Sequence, residues 1–330
     1  MEFSKSEALP PPPSVISSLK SGFDAVATHI AAIFLPVFLD MFLWFGPHLK
    51  AGNILEPLVV ELQALATSET ATTIDAQRFQ ETWTLLQDLN LMSLLRTFPI
   101  GITSLMNSVF PINTPLGEPT IIQINTSFSM LLWVGGLTLL GWLGGGIYFT
   151  WTASTVTSDR VGYITWASKA ILNAGLLSII WIVSIFVLGI PGVIMYSLLY
   201  IISPLLAQGV VLFLALFAMW LIVPLFFSVH GIFMNGENVF RSIISSLQMS
   251  RFTLPTSSFF VLAVLVLSQG FNFLWSTPVD TSWMMLIAIL GHAFITTALL
   301  AASFVYYRDM NAWLEVILAQ MKANTTSVQA

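Results

Sequence analysis

The chain contains no cysteine among its 330 residues. That excludes disulfides, thiolate metal sites, haem-attachment motifs and a cysteine nucleophile. Charge is almost as scarce. Asp, Glu, Lys and Arg together make up 8% of the residues, about a third of the roughly 25% carried by a soluble domain. So few charges do not cover a water-soluble globule of this size, which excludes a soluble enzyme and a disordered protein. Eleven Lys and Arg residues are too few for a nucleic-acid footprint. Catalytic signatures are missing as well. The sequence holds no HExxH, no GxSxG, no P-loop and no GxGxxG ahead of a helix. No catalytic residue, metal set or cofactor is therefore expected.

What the sequence has in abundance is apolar length. Hydrophobic residues make up 56% of the chain, and the mean hydropathy is +0.86. A membrane-crossing helix needs about 20 mostly apolar residues. Runs of that kind occur at 28–48, 128–151, 171–189, 209–232, 256–275 and 284–306. The expected fold is all-α: a polytopic membrane bundle of about six transmembrane helices, with a helical extracytoplasmic insertion after the first.

The expected organisation follows from composition. Residues 1–13, with four consecutive prolines, read as a disordered tail. Residues 14–48 hold an interfacial helix and the first span. The polar stretch 49–126, with seven acidic and three basic residues, forms the insertion. Within it, 56–67 and 74–90 have helical spacing, and 91–110 is expected to lie on the membrane surface. Residues 127–307 form the bundle, and 308–330 a cytoplasmic tail. The segment 192–207 is ambiguous, fitting either a further crossing or a re-entrant or interfacial helix.

Charge placement orients the chain. With six crossings, Lys5, Lys20, Arg160, Lys169, Arg241, Arg251, Arg308 and Lys322 share one side, and Lys50, Arg78 and Arg96 the other. The positive-inside rule makes the first side cytoplasmic. The expectation is a prokaryotic inner-membrane protein with both termini cytoplasmic.

Ionisable groups inside a membrane are costly, so each is a candidate for function. Asp40 lies about 12 Å below the outer end of the first span, at 1.5 Å per residue. His292 lies at a similar depth in the last span, which makes the two a candidate pair for proton relay, cation binding or an interhelical clamp. His29, His48 and His230 are scattered along the chain, a poor pattern for ligating a pigment. In 237–251, Phe240, Ile243, Ile244 and Leu247 form one helical face, expected to dip into acyl chains. Arg241, Ser242, Ser245 and Gln248 face away, with Arg241 and Arg251 placed to meet lipid headgroups. Gly141 and Gly145 form a small-xxx-small pair suited to close helix packing.

The residues Gly236, Glu237, Val239, Phe240, Ser242, Arg251, Tyr306, Tyr307, Arg308 and Asp309 carry a resemblance. A span, an amphipathic segment, two spans and a Tyr–Arg–Asp ending over 209–313 resemble the membrane domain associated with some glycerophosphoryl diester phosphodiesterases. The catalytic barrel of that family is a separate soluble domain with no counterpart here, so the resemblance implies no catalysis. The functional expectation is a non-enzymatic membrane protein that organises or contacts lipids or other membrane proteins. Two other readings stay open: a transporter or permease-like protein using Asp40 and His292, and a pigment- or quinone-associated subunit.

Overall fold

The computed structural model of the chain describes residues 10–54, 56–57, 89–157 and 163–329. The expected helices at 56–67 and 74–90, and Arg160, lie outside or almost wholly outside that set. The fold is all-α, with five helices long and apolar enough to cross a membrane, and a sixth if one bent pair counts as a span.

That pair is α1 (Val15–Thr28) and α2 (Phe34–Phe45), joined by the 3-10 turn Ile30–Ile33. The chain bends by 94° between them. The expected continuous helix over 28–48 is thus broken at its start: His29 leaves the helical region, with φ −120° and ψ 57°. A strand pair follows. β1 (His48–Lys50) and β2 (Ile121–Gln123) run parallel, His48 opposite Ile121. Between them lie the 3-10 turn Leu91–Leu95 and the short α3 (Met106–Val109).

Four long helices and a bent one complete the chain. They are α4 (Ser127–Val156), α5 (Tyr163–Ile202), α6 (Pro204–Asn235), α7 (Val239–Trp275) and α8 (Met284–Gln329). Three boundaries differ from those the sequence implies. The stretch 192–207 is no separate element: α5 runs through Pro191 to Ile202, Ser203 turns in an extended conformation, and Pro204 opens α6. The amphipathic segment 237–251 and the run 256–275 form one helix, interrupted only at Thr253 (φ −123°, ψ 15°) just before Pro255. The expected tail after Arg308 continues α8. Prolines punctuate soluble helices, but in an apolar setting neighbouring groups satisfy the freed backbone and the helix continues.

The chain divides into two compact units. One comprises Met1–Ala32, Phe149–Gln269 and Ile295–Ala330, the other Ile33–Tyr148 and Gly270–Phe294. In the first, Gly22 of α1 meets α8 so closely that a Cβ there would fall 2.5 Å from Ala302 Cα. Its aromatic centre stacks Phe260 on Tyr306 at 4.1 Å, with Phe227 alongside.

In the second unit, Gly141 and Gly145 receive a loop, not another helix. A Cβ at Gly141 would stand 2.6 Å from the Leu95 carbonyl oxygen, and one at Gly145 2.7 Å from Gly101 Cα. The stretch 91–110 packs into this unit: Leu91, Met92, Ile100, Ile102, Leu105 and Met106 are buried. A helical glycine is ordinarily about 1 kcal/mol worse than alanine, whereas overpacking costs about 1–3 kcal/mol. Alanine at Gly135 or Gly136, where a Cβ meets nothing within 4 Å, should leave the melting temperature unchanged or raise it. Alanine at Gly141 or Gly145 should lower it, as thermal unfolding in detergent will report.

Candidate functional site

Asp40 sits on α2 and is fully buried. The chain surrounds its carboxylate with donors from the insertion. Ser104 Oγ donates to Oδ1 at 2.6 Å, the Met106 amide donates to Oδ1 at 3.2 Å, and the Leu105 amide donates to Oδ2 at 3.0 Å. Ser104 Oγ in turn accepts from the Asn107 amide at 3.4 Å. The carboxylate thus holds the first turn of α3, whose amides have no partner inside so short a helix.

His292 Nδ1 stands 3.9 Å from Asp40 Oδ2. This is ion-pair range, too long for a hydrogen bond. Arg96 acts through space on both groups. The structure therefore brings Asp40 and His292 together, and it adds partners that the sequence did not point to. No spacing rule links residue 40 to residues 104–106; the insertion has to fold back to make the contact.

A second carboxylate was missed altogether. Asp280, in the turn between α7 and α8, accepts from the Ile112 and Asn113 amides at 3.1 Å through Oδ2. Its carbonyl accepts from Trp44 Nε1 at 2.9 Å. Nearby, Asn272 Nδ2 donates to Ser108 Oγ at 3.1 Å. Asp40 and Asp280 play the same part: each gathers amides of the insertion's irregular backbone.

The other histidines serve elsewhere. His230 Nδ1 lies 3.1 Å from the Phe226 carbonyl, and Nε2 lies 2.7 Å from Ser303 Oγ. A carbonyl only accepts, so Nδ1 carries the proton. Both ring nitrogens are engaged, and neither is left to ligate a pigment metal. His48 is buried in β1, where burial, aided by Lys50, pushes it below the ordinary histidine range.

In the first unit, α7 is turned opposite to a water-exposed amphipathic helix. Its serines face protein: Ser242 Oγ donates to the Ser228 carbonyl and Ser246 Oγ to the Pro224 carbonyl, both on α6. Phe240, Ile244 and Leu247 are exposed, and Ile243 is half-buried. Ser242 and Ser245, expected to face away from the membrane, instead join the packing. Arg241 and Arg251 are exposed, and Arg251 lies 5.9 Å from the centre of the Phe252 ring.

Gly236, Glu237 and Tyr307, three of the residues that carry the sequence resemblance, converge here. Gly236 ends α6 with φ +65°, and the Glu237 amide reaches back to the Gly231 carbonyl at 3.3 Å. That left-handed closure is glycine's to make. Glu237 Oε2 accepts from Ser245 Oγ at 2.8 Å, and a Cβ on Gly231 would lie 3.1 Å from the Tyr307 hydroxyl. Glu237 borders two cavities, of about 390 and 480 Å3. Comparison with known protein families, with curated proteins and with solved structures finds no match to this chain.

The Asp40 geometry yields a direct test. An Asn side chain turns an acceptor into a donor that must face an amide. Asp40→Asn should cost about 1–3 kcal/mol, the penalty of a buried unsatisfied group. Ser104→Ala removes one donor of three and should cost less. Thermal unfolding of the two variants beside the parent protein reads the ranking.

Proposed function

We propose that this chain is a non-enzymatic integral membrane protein that contacts and organises lipids or other membrane proteins around it, in a prokaryotic inner membrane with both termini cytoplasmic. The observation that carries this reading is the arm formed by α5 and α6. Between Lys169 and Glu237 the sequence contains no Asp, Glu, Lys or Arg. The two helices are 40 and 32 residues long, about 60 and 48 Å at 1.5 Å per residue. They pack on one another; a Cβ at Gly192 would touch Leu214 at 3.4 Å. Away from the base, where Ala174 and Leu177 of α5 and Phe227 and Phe233 of α6 are buried, they are largely bare. Only 11% and 18% of their most apolar windows are buried, against 50% in α8.

Even the turn is apolar. Ile201, Ile202, Leu205 and Leu206 are 82%, 73%, 76% and 53% exposed. Each large aliphatic side chain left in water would forgo about 1.5–3 kcal/mol. The arm therefore belongs in lipid or against another apolar surface, and presenting such a surface is what a membrane-organising protein does. The resemblance to the phosphodiesterase-associated membrane domain agrees with this reading, because it too implies no catalysis.

A second reading, a transporter or permease-like protein, rests on the 3.9 Å approach of Asp40 and His292. It differs in what Asp40→Asn does. A transporter loses uptake while its thermal stability holds. The reading preferred here has stability fall, because the carboxylate's partners are backbone amides of the insertion.

The arm itself is open to labelling, because the absence of native cysteine makes single-cysteine variants clean. Cysteine placed at Leu188, Ile202 or Leu212 should resist a membrane-impermeant maleimide and react with a lipid-soluble one. A photocrosslinker attached there should capture lipid or one discrete protein. Ready labelling of all three sites from water would overturn the proposal.

A further inference from the structure

The first unit holds a cleft of about 500 Å3 between α1, the end of α4 and α8. Ser21 aside, its lining side chains are rich in hydrogen-bond acceptors. Thr28 Oγ1 donates to the Asp24 carbonyl at 2.8 Å, Thr155 Oγ1 to the Thr152 carbonyl at 2.8 Å, and Thr157 Oγ1 to the Ala153 carbonyl at 2.9 Å. A hydroxyl has one proton, so each of these oxygens is left to the cleft as an acceptor. His29 Nδ1 lies 3.1 Å from the Ala25 carbonyl, which places the proton of the neutral ring there and leaves Nε2 to accept. The Asp24 carboxylate accepts no hydrogen bond among the described residues, and it too lines the cleft.

Among the described residues that line the cleft, one cationic donor, Arg308, stands against these acceptors. Arg308 spends Nε on Asp309 Oδ1 and Nη1 on the Val156 carbonyl, both at 2.9 Å. A guanidinium carries five N–H groups, so it has further donors to offer. Arg308 is also the first charged residue after the apolar run of α8, the level at which a basic side chain meets lipid headgroups.

We propose that this cleft binds the headgroup of a phospholipid carrying a primary ammonium, of the phosphoethanolamine type. The phosphate sits against Arg308. The ammonium, with three N–H donors and no acceptor, fits among Asp24, His29 and the threonine oxygens. Among the described residues that line the cleft, Arg308 is the cation and Asp24 the carboxylate, matching a headgroup that is itself neutral overall. A quaternary ammonium has no N–H donor and leaves the acceptors unmet. An anionic headgroup without an ammonium sets its charge beside Asp24. This assignment rests on the lipid-contact reading above and names the lipid class for it.

The test uses the full-length chain in vesicles of equal parts phosphatidylethanolamine, phosphatidylcholine and phosphatidylglycerol, followed by gentle detergent extraction and native mass spectrometry. The expected result is retained intact phosphatidylethanolamine in about tenfold excess over phosphatidylcholine, the ratio that one charge-assisted hydrogen bond supplies. Asp24→Asn should erase that preference with the melting temperature unchanged, because the residue is exposed. Arg308→Gln should lower retention of both lipids. Equal retention in the parent protein, a preference for phosphatidylglycerol, a preference that survives Asp24→Asn, or an adduct of free phosphoethanolamine's mass would overturn the assignment. Retention of lipid without headgroup preference defeats this assignment alone. Retention of no phospholipid at all defeats the lipid-contact reading with it.

Discussion

In a bilayer core there is no water to accept a stray hydrogen bond, and this structure is organised around that shortage. Helices solve it for most of the backbone. The remainder is the irregular chain of the insertion and the hydroxyls of the long helices. Asp40 and Asp280 take up amides at 105–106 and 112–113. The serines of α7 give their protons to carbonyls of α6. Thr253 and Ser257 share a hydrogen bond at 2.8 Å, and Ser257 Oγ lies 3.4 Å from the Tyr306 hydroxyl. Each of these groups faces protein, and the apolar side of the same helix is left outward.

That arrangement explains why α7 looks, in sequence, like a helix lying at a water interface. Alternating Ser and apolar residues give the same periodicity whether the polar face meets water or meets another helix. Periodicity supplies the two faces and not what each one touches. Phe240, Ile243, Ile244 and Leu247 do share a face, and it does point away from the packed side. Ser242 and Ser246 occupy the opposite face for packing, in the way that small hydroxyl residues hold membrane helices together.

Much of the architecture was legible because apolar length is a coarse and robust signal. Five of the six runs appear as helices long and apolar enough to cross a membrane, and the approach of Asp40 to His292 agrees with their similar depth by residue count. What escaped were features set by long-range packing. Nothing near His29 announces a right-angled turn, since the Pro in that run, Pro36, lies inside α2. Pro191, Pro224 and Pro255 lie within helices, whereas Pro204 begins one. The glycine pair on α4 was visible as a pair of small residues. That it receives the loop at 95–101, and no helix, depends on how the insertion folds back.

The α5–α6 arm has a consequence for how the protein responds to its surroundings. Basic and acidic residues usually pin each end of a span at a bilayer surface, which fixes its depth. The turn at Ser203 carries no such residue, and the nearest charges are Lys169 and Glu237, at the arm's base. No charge fixes the depth of its far end, where Tyr196 and Tyr200 are the anchoring side chains. When the membrane thins or thickens, the tip can ride up or down with the acyl chains at little electrostatic cost, while the base stays at its surface. Bilayer thickness thereby becomes a mechanical input at one defined place on the molecule, in the manner of a float on a hinge.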